Sequence, residues 1–276
     1  MHIEKATGSK FRNIIKELLI NNQSEDPELE LRILNEITKE ESNMSIYTDI
    51  SKCILDKQPI QYYAGYTYIN GDKLYISDKV LLPGPEMRYM LELCEKYIRK
   101  NNKNLKIMDL CCGSGVVSTV LGKKFSSSIF YASDISKDAT EIAEKNFNLY
   151  SLENINMLVG DLFQPFYNSD ILDFDFIIAN PPYCKTNDIE KLPAGVRDYA
   201  PRIAIDGGND GLEIHKRIIE EAYKLLKYNG YLILQNENGQ SGQVQQLLFE
   251  NGYCIVEVGK NHLNQERIIV AQLKKR

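Results

Sequence analysis

The pattern of hydrophobic and polar residues divides the chain into two parts with different periodicities. From Leu105 onward, short apolar runs alternate with stretches whose apolar residues recur every three or four positions, which predicts strands alternating with helices. The first predicted strands lie at 106–110, 129–133, 155–159, 174–179 and 231–235. The accompanying helices are predicted near 116–125, 137–149, 210–227 and 241–251. This alternation is typical of an α/β protein with a doubly wound, Rossmann-like sheet.

Two further apolar runs, at 253–258 and 267–273, predict a sixth and a seventh strand. The segment between them is too short for a crossover helix, so the last strand is expected to run antiparallel to its neighbours. The sequence therefore predicts a seven-stranded sheet with one antiparallel strand.

Residues 1–58 have the pattern of amphipathic helices. Ser9 can cap a first helix, and Asp26 with Pro27 can open a second, because these residue types favour helix starts. A third helix is predicted near 47–55. The first helix would carry the apolar residues Phe11, Ile14, Ile15, Leu18 and Leu19. A unit this small has little core of its own, so we expect it to pack on the rest of the chain or to hold a partner.

Residues 62–82 alternate apolar and polar side chains with a period of two. Asn70-Gly71 favours the positive φ angles of a two-residue turn, which predicts a β-hairpin with strands at 65–69 and 73–77. The predicted division of the chain is a helical domain, a hairpin linker and an α/β domain, at 1–58, 59–82 and 83–276.

The composition of the 276 residues, with 43% hydrophobic and 26% charged residues, is typical of a soluble globular protein. No apolar run approaches the ~18 residues of a membrane helix. The start of the chain mixes charged with apolar residues, unlike a signal peptide, so we expect a cytoplasmic protein. The net charge of −5 gives no support to direct nucleic-acid binding, which relies on neutralising many phosphates.

The six cysteines show neither a C-x-x-C pair nor the cysteine and histidine spacing of a zinc site, so we expect reduced thiols and no metal. Thiol catalysis is not favoured, because no histidine is a sequence-evident partner for a cysteine. The three histidines are His2, His215 and His262.

The apolar run at 175–179 ends abruptly in Asn180-Pro181-Pro182-Tyr183, and the prolines prevent a helix or a sheet ladder from continuing. Asn180 is therefore expected at the carboxyl end of a strand, where open α/β sheets bind ligands. The side-chain carbonyl of Asn180 and the backbone carbonyl of Pro181 could accept both hydrogens of a planar –NH2 group, beside the aromatic face of Tyr183. Taken alone, the tetrapeptide also fits a simple strand-ending turn.

A glycine-containing loop follows the first predicted strand. It starts after Asp109 and consists of Cys111, Cys112, Gly113, Ser114 and Gly115. Its glycines would let the backbone approach a ligand at the start of the next helix. The spacing is not the dinucleotide-binding fingerprint, because Ser118 stands where the third glycine would be.

Carboxylates follow the next two predicted strands. Asp134 could hold a ribose diol, although an aspartate there could simply start a helix. Asp161 could accept a hydrogen bond from an adenine amine, with Leu162 and Phe163 flanking the ring, although it also fits an ordinary turn.

These features occur in order at the ends of four successive predicted strands. Together they resemble class I S-adenosylmethionine-dependent methyltransferases that methylate a planar nitrogen. Further segments, at 26–31, 57–65, 80–86 and 196–202, extend the resemblance end to end to the release-factor glutamine methyltransferase family. That resemblance implies a small helical domain joined by a hairpin to a methyltransferase domain. It also implies methylation of the glutamine side-chain amide in the Gly-Gly-Gln loop of peptide-chain release factors.

The resemblance places the cofactor, S-adenosyl-L-methionine, on the loop residues and the carboxylates named above, and the substrate amide on the tetrapeptide. The implied cofactor residues are Asp109, Cys111, Cys112, Gly113, Ser114, Gly115, Asp134, Asp161, Leu162 and Asn180. The implied catalytic residues are Asn180, Pro181, Pro182 and Tyr183. The helical domain is expected to recognise the protein substrate.

The residues around the expected substrate site depart from the family pattern at Gly84, Met87, Arg88, Ala200, Gln235 and Glu237. Three enzymatic readings therefore stay open: glutamine methylation in a release factor, nitrogen methylation of a small amide, amine or guanidine, and adenine methylation in nucleic acid. The acidic chain disfavours the last of these. A fourth interpretation is a cofactor-binding module without enzymatic activity. The presence of Asn180 argues against it.

Overall fold

The structure is a computed structural model that describes residues 15, 17, 19, 26–40, 44–101, 104–167 and 171–274. Most of the first predicted helix, including Ser9, Phe11, Ile14 and Leu18, lies outside the described residues. Ile15 and Leu19 are helical and buried. Within the described part of the chain, no helix is long and apolar enough to cross a membrane.

The N-terminal part contains three described helices and a hairpin: α1 (Pro27–Glu40), α2 (Met44–Leu55), α3 (Ile60–Ala64), β1 (Tyr66–Ile69) and β2 (Asp72–Tyr75). Asp26 caps α1 as predicted, since its Oδ1 accepts a hydrogen bond from the backbone N–H of Leu29 at 3.1 Å. Asn70 and Gly71 have φ angles of 51° and 89°, so the predicted tight turn between β1 and β2 is present.

The helices share a cluster of buried apolar side chains that extends from Ile15 through α1 and α2 to Ile60 of α3. Tyr66 and Tyr68 of β1 pack against this cluster, and their hydroxyls donate to Glu36 of α1 at 3.1 and 2.8 Å. The hairpin is therefore fastened to the helices by both apolar and polar contacts. The domain boundaries given above stay a prediction.

One mixed sheet organises the rest of the chain. Its strands are β3 (Lys106–Leu110), β4 (Ile129–Asp134), β5 (Ile155–Val159), β6 (Phe174–Ala179), β7 (Leu226–Gln235), β8 (Tyr253–Lys260) and β9 (Glu266–Leu273). The strand order is β5-β4-β3-β6-β7-β9-β8. The strands from β5 to β7 are parallel, and β9 is antiparallel to both β7 and β8. The predicted α/β class and the antiparallel last strand are confirmed.

The helices of this part are α4 (Glu86–Asn101), α5 (Val116–Lys124), α6 (Lys137–Leu149), α7 (Ala194–Arg197), α8 (Glu213–Ala222) and α9 (Ser241–Glu250). The alternating side chains of β6 belong to two different buried clusters: Ile177 and Ala179 lie in one, Phe176 and Ile178 in the other. The sheet is thus buried on both faces, which is why its central strands are mostly apolar instead of strictly alternating apolar and polar residues.

The helix predicted over 210–227 was wrong in extent, because α8 ends at Ala222 and β7 already begins at Leu226. Leu226 pairs with Phe174 of β6, while Leu225 accepts a backbone hydrogen bond from Phe174 at 2.8 Å. The apolar residues after α8 continue the helical spacing, but pairing with β6 decides their conformation.

Candidate active site

A cavity of about 390 Å³ lies at the carboxyl ends of β3, β4, β6 and β7. The chain continues from β3 to β4 on one side and enters β6 on the other, so the cavity lies at the switch point of the sheet. Most of the predicted site residues contribute to its wall: Asp109, Cys111, Cys112, Gly113, Ser114, Asp134, Asp161, Leu162, Asn180, Pro182 and Tyr183. Gly115 and Pro181 do not contribute to the wall.

The loop between β3 and α5 turns through three residues with positive φ: Cys111 at 57°, Gly113 at 53° and Gly115 at 72°. A Cβ on Gly113 would meet nothing within 4 Å, whereas a Cβ on Gly115 would lie 2.8 Å from Cε1 of Phe147. Gly113 therefore leaves open space for a ligand. Gly115 instead allows the loop to pack on α6, a role that the sequence did not indicate.

Asp134, the last residue of β4, holds this loop in place. Its Oδ2 accepts a hydrogen bond from the backbone N–H of Gly113, and its Oδ1 accepts one from Ser136, both at 2.9 Å. Burial raises the pKa of Asp134 above its ordinary value, and these backbone N–H groups oppose the rise. Each carboxylate oxygen has a second lone pair, so Asp134 can still accept from a ligand hydroxyl.

Asp109 of β3 is buried against the start of α5. Its Oδ2 accepts from the backbone N–H of Ser118 at 3.0 Å and from the Ser118 hydroxyl at 2.7 Å. The N–H groups in the first turn of a helix lack intrahelical partners, so Asp109 satisfies one of them. Burial raises the pKa of Asp109 to about 7, while the bonds from Ser118 oppose the rise.

Asp161 and Leu162 follow β5. Leu162 has a φ of 46° and is buried beside the cavity. Asp161 forms an ion pair with Arg217 of α8, whose Nη2 lies 2.7 Å from its Oδ2. Arg217 also contributes to the cavity wall. The expectation that Phe163 flanks a bound ring was wrong, because Phe163 is fully buried in the core and is not part of the wall.

Asn180 follows β6 directly, at the centre of the carboxyl edge. Its Oδ1 is buried and has no hydrogen-bond partner among the described residues. An unpaired buried acceptor costs about 1–3 kcal/mol unless a donor arrives. Asn180 thus brings an acceptor oxygen without a partner to a residue that lines the cavity.

Tyr183 is held from several directions. Its hydroxyl lies 3.3 Å from Nη2 of Arg267 and 3.4 Å from Nε2 of Gln235. Its backbone carbonyl accepts from Nε2 of Gln240 at 2.9 Å. Burial raises the pKa of Tyr183 to about 12, so the hydroxyl stays protonated at neutral pH.

The segment after Tyr183 folds back and supports the loop formed by residues 180–183. Cys184 donates its backbone N–H to Ile205 at 2.9 Å, and Gly207 donates to Cys184 at 2.8 Å. A Cβ on Gly207 would lie 2.7 Å from Cα of Tyr183 and 2.9 Å from the carbonyl of Pro182. Only glycine permits this close approach, which fixes the loop that carries Pro182 and Tyr183.

The cysteines of the site are poorly suited to nucleophilic chemistry. Burial raises the pKa of the Cys184 thiol to about 11 and raises those of Cys111 and Cys112 as well. Burial also lowers the pKa of His215 to about 4, and its Nε2 lies 2.8 Å from the backbone carbonyl of Gln235. Thiolates would therefore be scarce at neutral pH.

The cavity wall also contains five charged residues that were not identified as site residues from the sequence: Lys79, Glu86, Arg217, Glu237 and Arg267. Glu237 stood out only as a departure from a family pattern. Arg267 is 8% exposed and lies in a strand that is mostly apolar. Its charge within this apolar run is the sequence feature that could have identified it as a site residue.

Comparison with known proteins finds several that are similar to this chain. A family model described as a methyltransferase domain matches residues 101–269. The chain is 35% identical over 222 residues to a release factor glutamine methyltransferase of Thermodesulfovibrio yellowstonii, covering 80% of this chain and 78% of that protein. A protein of the same description from Clostridium acetobutylicum is 29% identical, with 97% of this chain and 93% of the relative covered.

A solved structure of a methyltransferase from Pyrococcus furiosus superposes with a TM-score of 0.56. The superposition covers 83% of this chain and 100% of that chain, at 16% sequence identity. Such a low identity supports the fold alone.

Proposed function

The chain belongs to the release factor glutamine methyltransferase family, and from that premise we propose that it transfers a methyl group from S-adenosyl-L-methionine to a glutamine side-chain amide in a peptide-chain release factor. The sequence resemblance implies that this glutamine lies in the Gly-Gly-Gln loop. Release factors act where translation takes place, so we also propose that the enzyme works in the cytoplasm.

The residues of the cavity fit an adenosyl cofactor. The open space at Gly113 leaves room for a ligand against the loop backbone, and Asp134 retains lone pairs for a hydroxyl. We propose that the cofactor is held by Asp109, Cys111, Cys112, Gly113, Ser114, Asp134, Asp161 and Leu162, all of which line the cavity. When bound, S-adenosyl-L-methionine supplies a methyl group on a positively charged sulfur.

The observation that carries the proposal for the acceptor is the buried, unpartnered Oδ1 of Asn180. An amide nitrogen is a poor nucleophile because its lone pair is delocalised, with a rotation barrier of ~18–20 kcal/mol. A hydrogen bond from the substrate amide to Asn180 would orient the nitrogen, and alignment of this kind can supply ~7–11 kcal/mol of a barrier.

We propose that the backbone carbonyl of Pro181 accepts the second amide hydrogen and that Tyr183 packs on the amide plane. Pro181 is buried and lies outside the cavity wall, so its role rests on the sequence alone. Tyr183 lies in the wall with its hydroxyl fixed by Arg267, which keeps the ring in one orientation. No base contacts the amide in this arrangement, and the proton would leave after methyl transfer to a carbonyl or to water.

We propose that the helical domain, residues 1–58, recognises the release factor. A second cavity of about 260 Å³ lies between the helices and the methyltransferase domain, with Leu29 and Gln58 on one side and Ala200 on the other. It shares Leu82, Pro83 and Val196 with the first cavity. A protein substrate needs contacts away from the reacting amide, because one amide offers too few atoms for selectivity.

Labelled S-adenosyl-L-methionine tests the proposal with three acceptors: a release factor, the same factor with its Gly-Gly-Gln glutamine changed to alanine, and extracted metabolites. Label should enter the intact factor alone. Label in the alanine variant would place the reaction at another residue, and label in metabolites alone would favour a small amide, amine or guanidine as the acceptor.

A further inference from the structure

Gln235 is the last residue of β7 and a neighbour of Asn180. Ala179 of β6 and Leu234 of β7 are register partners in parallel strands. The residues that follow them therefore lie side by side, about one strand spacing of ~4.8 Å apart. Both Asn180 and Gln235 contribute to the cavity wall.

The nitrogen and the oxygen of the Gln235 side-chain amide differ in their hydrogen bonding. Its Nε2 donates to the hydroxyl of Tyr183 at 3.4 Å, whereas its Oε1 is buried and has no hydrogen-bond partner among the described residues. Gln235 as a whole is only 4% exposed, so water has little access to this oxygen. Buried acceptors are nearly always paired in proteins, and an unpaired one beside a cavity indicates a ligand donor.

The position of Gln235 is fixed before any ligand binds. Its backbone carbonyl lies 2.8 Å from Nε2 of the buried His215. Tyr183, on the other side, is held by Arg267 and Gln240. A side chain held in this way can present its oxygen in one direction, which is what selective recognition requires.

We propose that Gln235 is a specificity-determining residue whose Oε1 accepts a hydrogen bond from a backbone N–H of the acceptor polypeptide beside the reacting glutamine. This inference rests on the proposed function. There, Asn180 and Pro181 account for both hydrogens of the amide nitrogen, so a third acceptor calls for a third N–H. In the acceptor, the side chain of the reacting glutamine is short, so the backbone N–H of that residue lies within ~6 Å of its amide nitrogen. This distance is comparable with the spacing between the strands that precede Asn180 and contain Gln235.

Two substitutions test the acceptor role against a structural one. Gln235→Met keeps the length and apolar volume of the side chain but removes the carbonyl. It should lower kcat/KM on the release factor by about tenfold or more, because the substrate N–H would enter the site without a partner. Gln235→Glu keeps an acceptor oxygen and should stay within about threefold of the wild type, with the Tyr183 hydroxyl turning to donate.

Gln245→Met is a matched control, since Gln245 is half-buried on α9 and outside the cavity wall. It should leave kcat/KM unchanged. Calorimetry with S-adenosyl-L-methionine should give the same affinity for all three variants and the wild type. A loss of cofactor affinity in Gln235→Met would instead assign the oxygen to the cofactor and overturn the proposal.

Measurements in a Tyr183→Phe protein distinguish the acceptor role from a role in which Gln235 only positions Tyr183. If Gln235 acts only through the Tyr183 hydroxyl, Gln235→Met should cause no further loss of kcat/KM in a Tyr183→Phe protein. We expect a further loss of about tenfold, and its absence would overturn the proposal. Equal losses in Gln235→Met and Gln235→Glu would also overturn the proposal, because they would assign the effect to Nε2.

A wild-type enzyme without activity on the release factor would refute the proposed function itself. An active wild type with an equally active Gln235→Met would refute only the role proposed for Gln235.

Discussion

Arg267 at the start of β9 and Glu237 in the loop after β7 form an ion pair in the wall of the candidate active site, with Nη1 2.7 Å from Oε1. The arginine side chain is 10% exposed and the glutamate side chain 37% exposed. The same guanidinium lies 5.6 Å from the centre of the Tyr183 ring and 3.3 Å from its hydroxyl. This charge pair therefore helps Gln235 and Gln240 to hold Tyr183, the aromatic residue on which the substrate amide is proposed to pack.

Glu237→Gln should remove the ion-pair partner of Arg267 and leave Glu86 as the other carboxylate that acts on the guanidinium. Removing one partner of a buried pair is costly, but the exposure of Glu237 reduces the effect, so we expect a loss of about 1–2 kcal/mol in the free energy of unfolding. Urea denaturation measures this loss. Glu250→Gln, at the exposed end of α9, is the control and should change the free energy by less than ~0.5 kcal/mol. Equal stability of both variants and the wild type would mean that the pair contributes nothing.

Asn180→Ala should retain cofactor affinity and lose about a hundredfold or more in kcat on the release factor, because its Oδ1 is proposed to bind the reacting amide. Single-turnover kinetics and calorimetry measure the two quantities. Asn238→Ala is the control, since Asn238 is exposed and outside the cavity wall. Normal turnover by Asn180→Ala would exclude the proposed amide clamp.

Asp134→Ala should weaken the binding of S-adenosyl-L-methionine by about 1.5–3 kcal/mol, the usual effect of losing hydrogen bonds to a charged group. The variant also loses the bond to Gly113, so Asp134→Asn is needed beside it to preserve the volume of the side chain. Asp138→Ala, exposed in the first turn of α6, is the control for calorimetry. Unchanged affinity in both Asp134 variants would remove Asp134 from the cofactor site.

The raised pKa of Asp109 predicts that the free energy of unfolding depends on pH. Its pKa is raised to about 7 in the folded protein, above the ~3.9 of an unfolded chain. Between these values the folded state binds more protons than the unfolded state, so the contribution of Asp109 to stability falls as pH rises from about 4 to about 7. Asp109→Asn keeps an acceptor for Ser118 without this titration. Its stability relative to the wild type should therefore rise by about 2–4 kcal/mol between pH 4 and pH 8 in denaturant titrations, and a constant difference would contradict this.

The sequence predicted some parts of this molecule well for identifiable reasons. β3, β5 and β6 have the predicted bounds. The apolar runs of β5 and β6 end sharply, at Gly160 and at Asn180, which made their ends easy to place. The start of β7 was missed, since leucines at 225 and 226 fit a helix as well as a strand. The pair Arg217–Asp161 joins residues 56 positions apart, and no local pattern could reveal it. The unpaired oxygens of Asn180 and Gln235 likewise depend on what the whole fold places around them.

The proposed recognition role of residues 1–58 predicts a separation of cofactor binding from protein methylation. Deleting these residues should leave the affinity for S-adenosyl-L-methionine near normal, because the residues proposed to hold it all lie beyond residue 100. Turnover of the release factor should collapse. The deletion exposes Ile60, Tyr66 and Tyr68, which pack against the helices, so circular dichroism must first show a folded protein.

Arg88 offers a milder test of the same role. Its Nη2 lies 3.0 Å from Oδ2 of Asp26, so the pair connects α4 to the start of α1 beside the second cavity. The pair is exposed, and Arg88→Ala should change the free energy of unfolding by less than ~1 kcal/mol. If the helices must be held in place to receive the release factor, KM for the factor should nevertheless rise about threefold to tenfold at an unchanged cofactor affinity. Arg99→Ala removes a comparable exposed pair from α4, that with Glu95, and should leave KM unchanged. An unaltered KM in Arg88→Ala, together with full activity of a folded deletion variant, would assign recognition of the release factor to the methyltransferase domain.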